Sequence, residues 1–352
     1  LKQQTVQQKE QTSAQFWGHT RKKLAPQTAI LYYRMINQNI YSFVITRTDI
    51  KAYKLNAEAS TRAIKNAQNY TSLTQNKDMQ NFRQFGKALY RDILHHMNFL
   101  SQNKFNNLIL VGDPVFLQIP FATLIDPNDK YLIESFSILH SLSLQKLNDP
   151  SLAQKEKWSL LALYYPEYEN GHSYKHTNTE IELIKGSFQQ KRLLAQDQLT
   201  QEEIFDDDLR QNFWHIALPM EISCTPHGPG PIKLLLGRED QKIRYLPLAK
   251  LSQTSRKDRA LLFLSNGAKV CRYRQTNQRK SLQLIRFAQN LGFAYLIYSE
   301  LPSKRDSALV ISAFYRKLKR VSIQQALRKA QMRTMQRKPH PYYWAHYKLF
   351  IP

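Results

Sequence analysis

Two cysteines and ten histidines are the residues of this sequence best suited to nucleophilic or metal chemistry, and their spacing limits which chemistry is open. A cysteine nucleophile needs a thiolate and a base within hydrogen-bond reach, because a thiol is a weak nucleophile at its free pKa and the leaving group must be protonated. Cys271 lies in a basic stretch with Lys269, Arg272 and Arg274, which would lower a thiol pKa at an exposed position. His227, in Cys224-Thr-Pro-His227-Gly-Pro-Gly, is the matching candidate base. Each has a plainer reading: a small buried filler for Cys271, a loop thiol for Cys224, a solvated turn residue for His227. Cys224 and Cys271 lack paired spacing, so neither a disulfide framework nor a four-cysteine zinc site can be built from them. His172 and His176 stand four apart, as metal ligands on a helix do, but Gly171 and the tyrosines nearby suggest a loop without a third ligand. His95 and His96 sit in an amphipathic helical pattern and read as packing and surface. No G-x-G-x-x-G follows a strand, no P-loop occurs, and Gly228-Pro229-Gly230-Pro231 is too rich in proline to offer phosphate a row of N–H donors. Neither a cofactor nor a metal is expected.

Charge is the other chemical signal. Fifty-one Lys and Arg against 27 Asp and Glu give a net charge of +24, enough to favour anionic partners over much of the surface. Between positions 303 and 338 lie Lys304, Arg305, Arg316, Lys317, Lys319, Arg320, Arg328, Lys329, Arg333, Arg337 and Lys338, with Asp306 the sole acid. Arg316 and Arg320 fall one helical turn apart, as do Lys329 and Arg333, so part of this charge forms a stripe able to attract phosphate or carboxylate. Arg316, Lys317, Lys319, Arg320, Arg328, Lys329 and Arg333 are therefore candidates for binding an anion or a partner. Nucleic acid stays open as a ligand, although aromatics suited to stacking are not interleaved with the charges. The plain reading is a basic helix covering the sheet.

The elements that must position these groups show in the hydrophobic pattern. An apolar content of 42% supports a sizeable core. Residues 28–36, 40–48 and 50–55 alternate apolar and polar, which predicts an antiparallel meander. From 57 to about 100 the spacing is helical, with Phe82, Phe85, Leu89, Ile93 and Met97 on one face. The continuous apolar run 107–111 before Gly112-Asp113-Pro114 reads as a strand covered on both faces. Strands come next at 159–164, 213–218, 260–265 and 293–299, helices at 180–188 and 282–291, then two more helices. This alternation predicts an α/β fold, a mostly parallel sheet flanked by helices on both faces behind an N-terminal meander and helices. Residues 165–178 and 226–233 read as loops, and the aromatic tail 340–352 as a closing edge element. No apolar run approaches the ~20 residues of a membrane-spanning helix. Residues 1–15 are Gln-rich, begin without Met and carry no export signal; the expectation is a fragment of a longer, cytoplasmic protein.

Several motifs together resemble one family. Leu108-Ile-Leu-Val-Gly-Asp-Pro-Val-Phe-Leu-Gln-Ile-Pro-Phe-Ala-Thr-Leu124 is similar to a strand, an aspartate turn and an I/L-P-F-A-A-L motif of the CHAT peptidases, caspase-like cysteine proteases often fused behind tetratricopeptide repeats. Tyr131-Leu-Ile-Glu-Ser-Phe-Ser-Ile138 resembles the next segment of that family. Phe314-Tyr315-Arg-Lys-Leu318, Ala326-Leu-Arg-Lys-Ala-Gln331 and His340-Pro-Tyr-Tyr-Trp-Ala345 resemble the family's F-Y-x-x-L, A-L-R-x-A-Q and H-P-x-Y-W-A. The resemblance implies a caspase-like fold over 25–352, with an N-terminal subdomain 25–150 and a peptidase subdomain 151–352. Residues 1–24 would then be a linker or the end of an upstream helical repeat region.

The same resemblance locates a departure. Active members carry the general base as the second His of H-F-A-T-H-G; this sequence reads His215-Ile-Ala-Leu-Pro219-Met220. The nucleophile belongs to L-S-A-C-E-T-G; here the stretch is Leu264-Ser265-Asn266-Gly267-Ala268-Lys269-Val270. Pro219 and Gly267 occupy the two positions, and neither can supply a thiolate or a base. The expectation is a catalytically inactive module that binds a protein partner or an upstream repeat domain of its own chain. The alternatives are a peptidase with a dyad relocated to Cys271 and His227, and a basic binder of nucleic acid or anionic surfaces.

Overall fold

The computed structural model describes residues 18, 21–22, 24–74, 79–94, 100, 105–117, 119–147, 158–165, 175–195, 198–200, 203–204, 211–225, 228–239, 242–251, 259–266, 268–269, 276–301 and 306–352. The expected meander is present as β1 (Thr28–Ile36), β2 (Asn39–Ile45) and β3 (Ile50–Leu55), antiparallel throughout. The helical stretch after it divides into α1 (Ala57–Thr74) and α2 (Met79–Leu94). The strand β4 (Asn107–Gly112) then pairs parallel to β1. Its last residue must be glycine, because a Cβ on Gly112 would meet the Tyr33 carbonyl oxygen at 2.5 Å. The adjoining Asp113 carboxylate accepts from Arg34 Nη1 at 2.7 Å and from the Met35 amide at 2.8 Å, locking the turn to β1.

Further strands are β5 (Ser137–Ser141), β6 (Ser159–Tyr164), β7 (Gln190–Ala195), β8 (Phe213–Ala217), β9 (Met220–Thr225), β10 (Gly228–Glu239), β11 (Lys242–Pro247), β12 (Arg259–Leu264), β13 (Ala268–Lys269), β14 (Phe293–Ser299) and β15 (Tyr347–Ile351). The remaining long helices are α3 (Lys175–Lys185), α4 (Thr276–Asn290), α5 (Ser307–Leu318) and α6 (Ile323–Arg337). Eleven strands form one sheet in the order β3-β2-β1-β4-β5-β15-β14-β12-β8-β6-β7. It is parallel except within the meander and between β14 and β15. A second sheet, β11-β10-β9-β13, lies beyond the ends of β8 and β12.

Alternation along the central strands splits the core between two faces. Phe213, Ala217, Leu261 and Phe263 pack with residues of α1, α2, α3, α5 and α6. Trp214, Ile216, Leu262 and Leu264 pack with α4 and the small sheet. Every residue of β8, β12 and β15 is buried, as expected where both faces of a parallel sheet are covered.

Three expectations need correcting, the first being the loop at 165–178, whose last residues belong to α3 from Lys175 on. The tail is no edge: β15 is inserted between β5 and β14, antiparallel to β14 and parallel to β5, joining the strands of both halves into one sheet. The predicted loop at 226–233 instead opens β10 at Gly228. Prolines 229 and 231 donate nothing to a ladder, and the β9–β10 register accordingly shifts between Pro229 and Ile232.

Candidate functional site

In sheets of this kind, loops at the carboxyl ends of the strands carry chemistry. Strands β8 and β12 are neighbours in parallel register, His215 opposite Phe263 and Ile216 opposite Leu264. Their exits stay tied together: the Ser265 amide donates to the Ile216 carbonyl at 3.1 Å, and Asn266 Nδ2 to the Ala217 carbonyl at 3.0 Å. Ser265 and Asn266 are buried. Beyond them β13 runs parallel to β9, with Ala268 opposite Met220. One register offset thus holds before and after the interval containing positions 219 and 267. Pro219 is buried, and its carbonyl accepts the Leu235 amide at 2.9 Å. Gly267, Cys271, His227, His172, His95 and His96 lie outside the described residues. Cys224 belongs to β9, where its backbone pairs with Pro229. His176 stands in the first turn of α3.

His215, the retained histidine, is wholly buried and engaged on both ring nitrogens. Its Nδ1 is 2.9 Å from the Tyr315 hydroxyl, and its Nε2 is bonded to Glu180 Oε1. A carboxylate can only accept, so Nε2 carries the proton and, in the neutral ring, Nδ1 accepts from Tyr315. Strand β8 supplies the imidazole, α3 the carboxylate and α5 the phenol. Burial, and then the Glu180 carboxylate, push the Tyr315 and Tyr347 hydroxyls well above the ordinary tyrosine range. The ring also stacks on Phe263 at 5.0 Å between centroids. This arrangement cross-links the sheet to two helices.

A second buried charge cluster flanks the exits of β14 and β12. Lys348 Nζ donates to the Leu117 carbonyl at 2.9 Å and lies 2.7 Å from Glu300 Oε1. The Lys280 amine is pushed down to about 8 by burial, against the opposing pull of Glu300. His140, stacked on Phe350 at 4.9 Å, is pushed down to about 3 by burial and by Lys348, and is therefore neutral. Neither cluster was legible beforehand, since Glu180 and Tyr315 lie 35 and 100 positions from His215. A Glu at the start of a predicted helix and a Lys inside an apolar strand were the only signals.

The basic stripe divides by exposure. Arg316, Lys319, Arg320, Lys329 and Arg333 are exposed, while Lys317 and Arg328 are half-buried. Arg328 is held by the molecule itself, donating from Nε to the Ile133 carbonyl at 2.8 Å and from Nη2 to the Glu134 carbonyl. Lys304 and Arg305 lie outside the described residues. Among the described residues no group of three or more His, Cys, Asp or Glu could hold a metal ion, and no helix is long and apolar enough to cross a membrane.

The motifs behind the resemblance serve the fold. In the first, the Thr123 hydroxyl donates to the Pro120 carbonyl at 2.7 Å, and the Thr123 carbonyl accepts the Tyr70 hydroxyl at 2.6 Å. In the helical motifs, Phe314, Tyr315, Leu318, Ala326, Leu327 and Ala330 are buried, and Gln331 Nε2 donates to the Trp344 and Tyr347 carbonyls at 2.9 and 3.2 Å. In the last, His340 Nδ1 accepts the Tyr342 amide at 3.0 Å, and the buried Trp344 donates from Nε1 to the Pro339 carbonyl at 3.2 Å. No curated protein matches the chain. The family model described as CHAT domain matches residues 83–351, well over half of the 352 residues, and with a mostly parallel sheet between helical layers behind an antiparallel meander, the chain belongs to the CHAT domain family.

Proposed function

We propose that this chain is a catalytically inactive CHAT domain that acts as a protein-interaction or regulatory module, engaging a protein partner or an upstream repeat domain of its own chain. The observation that carries this reading is the exit of β8. There the position matching the family's base is a buried proline whose carbonyl is bonded to Leu235, and the position matching the nucleophile is Gly267. Proline and glycine hold no group able to form a thiolate or accept a proton, and acyl transfer by a cysteine peptidase needs both. The neighbouring histidine is no substitute: Glu180 and Tyr315 occupy both nitrogens of His215.

The test is labelling of the purified chain with thiol-reactive peptide probes, compared across wild type, Cys224→Ala and Cys271→Ala. The expected result is slow labelling that does not depend on the peptide. Rapid, peptide-dependent labelling lost only in Cys271→Ala would replace this reading with a peptidase whose dyad has moved to Cys271 and His227.

A further inference from the structure

Helices α5 and α6 pack as an antiparallel pair outside the sheet, and the cleft between their outer faces has a built character. Ser322 caps α6, its hydroxyl accepting the Gln325 amide at 3.3 Å. Helical spacing then brings Lys329, Met332 and Arg333 to the side facing Ala313 and Lys317 of α5. Together with Arg328 they line an open cleft of ≈ 500 Å³. Its floor is apolar, from Ala313 and Met332, and its walls are cationic. Among the described residues, Lys317, Lys329 and Arg333 form no ion pair. Arg328 differs from these cations because two backbone carbonyls fix its guanidinium plane. Arg328 and Lys329 also line a smaller recess of ≈ 120 Å³ with Asn107, Ser137 and Gln325, so the charged cleft continues into a polar one. The Glu134 side chain, whose backbone carbonyl holds Arg328, is turned to its own helical turn and accepts the Tyr131 amide at 2.7 Å.

We infer that this cleft binds an acidic peptide segment of a protein partner, with carboxylates on Lys317, Lys329 and Arg333 and an apolar side chain between them on Ala313 and Met332. The inference rests on the proposed role as an interaction module and names the chemistry of the partner. Charge complementarity selects an acidic occupant. The apolar floor and concave shape favour a side chain over a flat lipid surface, and the lining holds no aromatic ring on which a nucleic-acid base would stack. The Arg333 guanidinium suits bidentate capture of one carboxylate, with Lys317 and Lys329 adding attraction that salt weakens.

The experiment is panning of a random twelve-residue peptide phage library against the full chain, followed by anisotropy titration of the enriched peptide. Titrations compare wild type, the triple variant Lys317→Glu/Lys329→Glu/Arg333→Glu, and Arg316→Glu/Arg320→Glu as a control for general charge. Enrichment of acidic peptides with an apolar residue is expected. Their affinity should fall about tenfold or more in the triple variant and much less in the control, with unchanged thermal midpoints. Enriched peptides that lack acidic residues, or that bind the triple variant as tightly as wild type, overturn the cleft assignment but leave the interaction role standing. No enrichment at all likewise overturns the cleft assignment and leaves the interaction role standing. A triple variant that loses binding to single-stranded RNA or to phosphatidylserine vesicles while keeping peptide affinity assigns the cleft to those ligands instead.

Discussion

The exits of β8, β12 and β14 and the α5–α6 cleft are both rich in polar and charged side chains, yet they treat them in opposite ways. At the exits several buried polar groups are answered from within, His215 by Glu180 and Tyr315, Lys348 by Glu300 and Leu117, Asn266 by Ala217, while the buried Ser265 hydroxyl has no hydrogen-bond partner among the described residues. At the cleft, cations of one sign stand at the surface with no carboxylate opposite among the described residues. Buried charges are tolerated only when paired and hydrogen-bonded, so the first region is committed to holding the sheet together. Surface cations cost little to leave unpaired, and the second region keeps its attraction for something outside. The contrast supports the proposed placement of recognition on the helical layer, away from the strand ends where this kind of fold usually keeps it.

Removing one member of a committed group should be the most damaging change. Glu180→Ala leaves His215 without its acceptor at a fully buried position and opens a void beside it, and should cost about 2–4 kcal/mol, read as a lowered urea midpoint. An unchanged midpoint would break the distinction between the two regions. Lys280→Met should act in the other direction, because the lysine is buried against its preference for water. The folded amine at about 8 lies below its ordinary 10.5. Between those values the unfolded chain holds a proton that the folded chain does not, so stability rises with pH across that window and the penalty is largest below it. The substitution should remove that rise and stabilise the chain at neutral pH by roughly 1–3 kcal/mol. Denaturation midpoints measured from pH 7 to 10.5 check the sign; a wild type whose stability is flat there contradicts it.

Gln331→Leu should come next, at about 1–3 kcal/mol, since it strips the buried Trp344 and Tyr347 carbonyls of a shared donor; thermal unfolding suffices to detect it. Smallest of all should be Arg316→Ala with Arg320→Ala, exposed positions without an ion pair among the described residues, whose combined effect on the thermal midpoint should fall within about 0.5 kcal/mol. A large loss there would mean that the helical layer is committed as well, and would blur the contrast.

Much of the fold was legible. The strands at 28–36, 50–55, 159–164 and 293–299 match their observed bounds, because a period of two or a short unbroken apolar run records how many faces of a strand are covered. The edge strand β7 escaped notice because Gln190, Lys191 and Arg192 interrupt any apolar pattern at its start. The small sheet escaped because Pro229 and Pro231 look like loop residues, although a ladder can shift its register around them. Of the candidate site, Pro219 could be placed by resemblance and its burial at the exit of β8 could not.

By itself the sequence determined the types of the elements, the residues at the two family positions, the excess of positive charge and its concentration between 303 and 338. Those properties are local: each depends on side chains within a few turns or strand residues of one another. Only the tertiary structure decided that the final strand lies between β5 and β14, that Glu180 and Tyr315 close on His215, and that Lys317 and Lys329 converge across the α5–α6 turn. Periodicity tells that a face is buried but is silent about which distant segment buries it, and a charge becomes committed or available only when the chain brings it a partner.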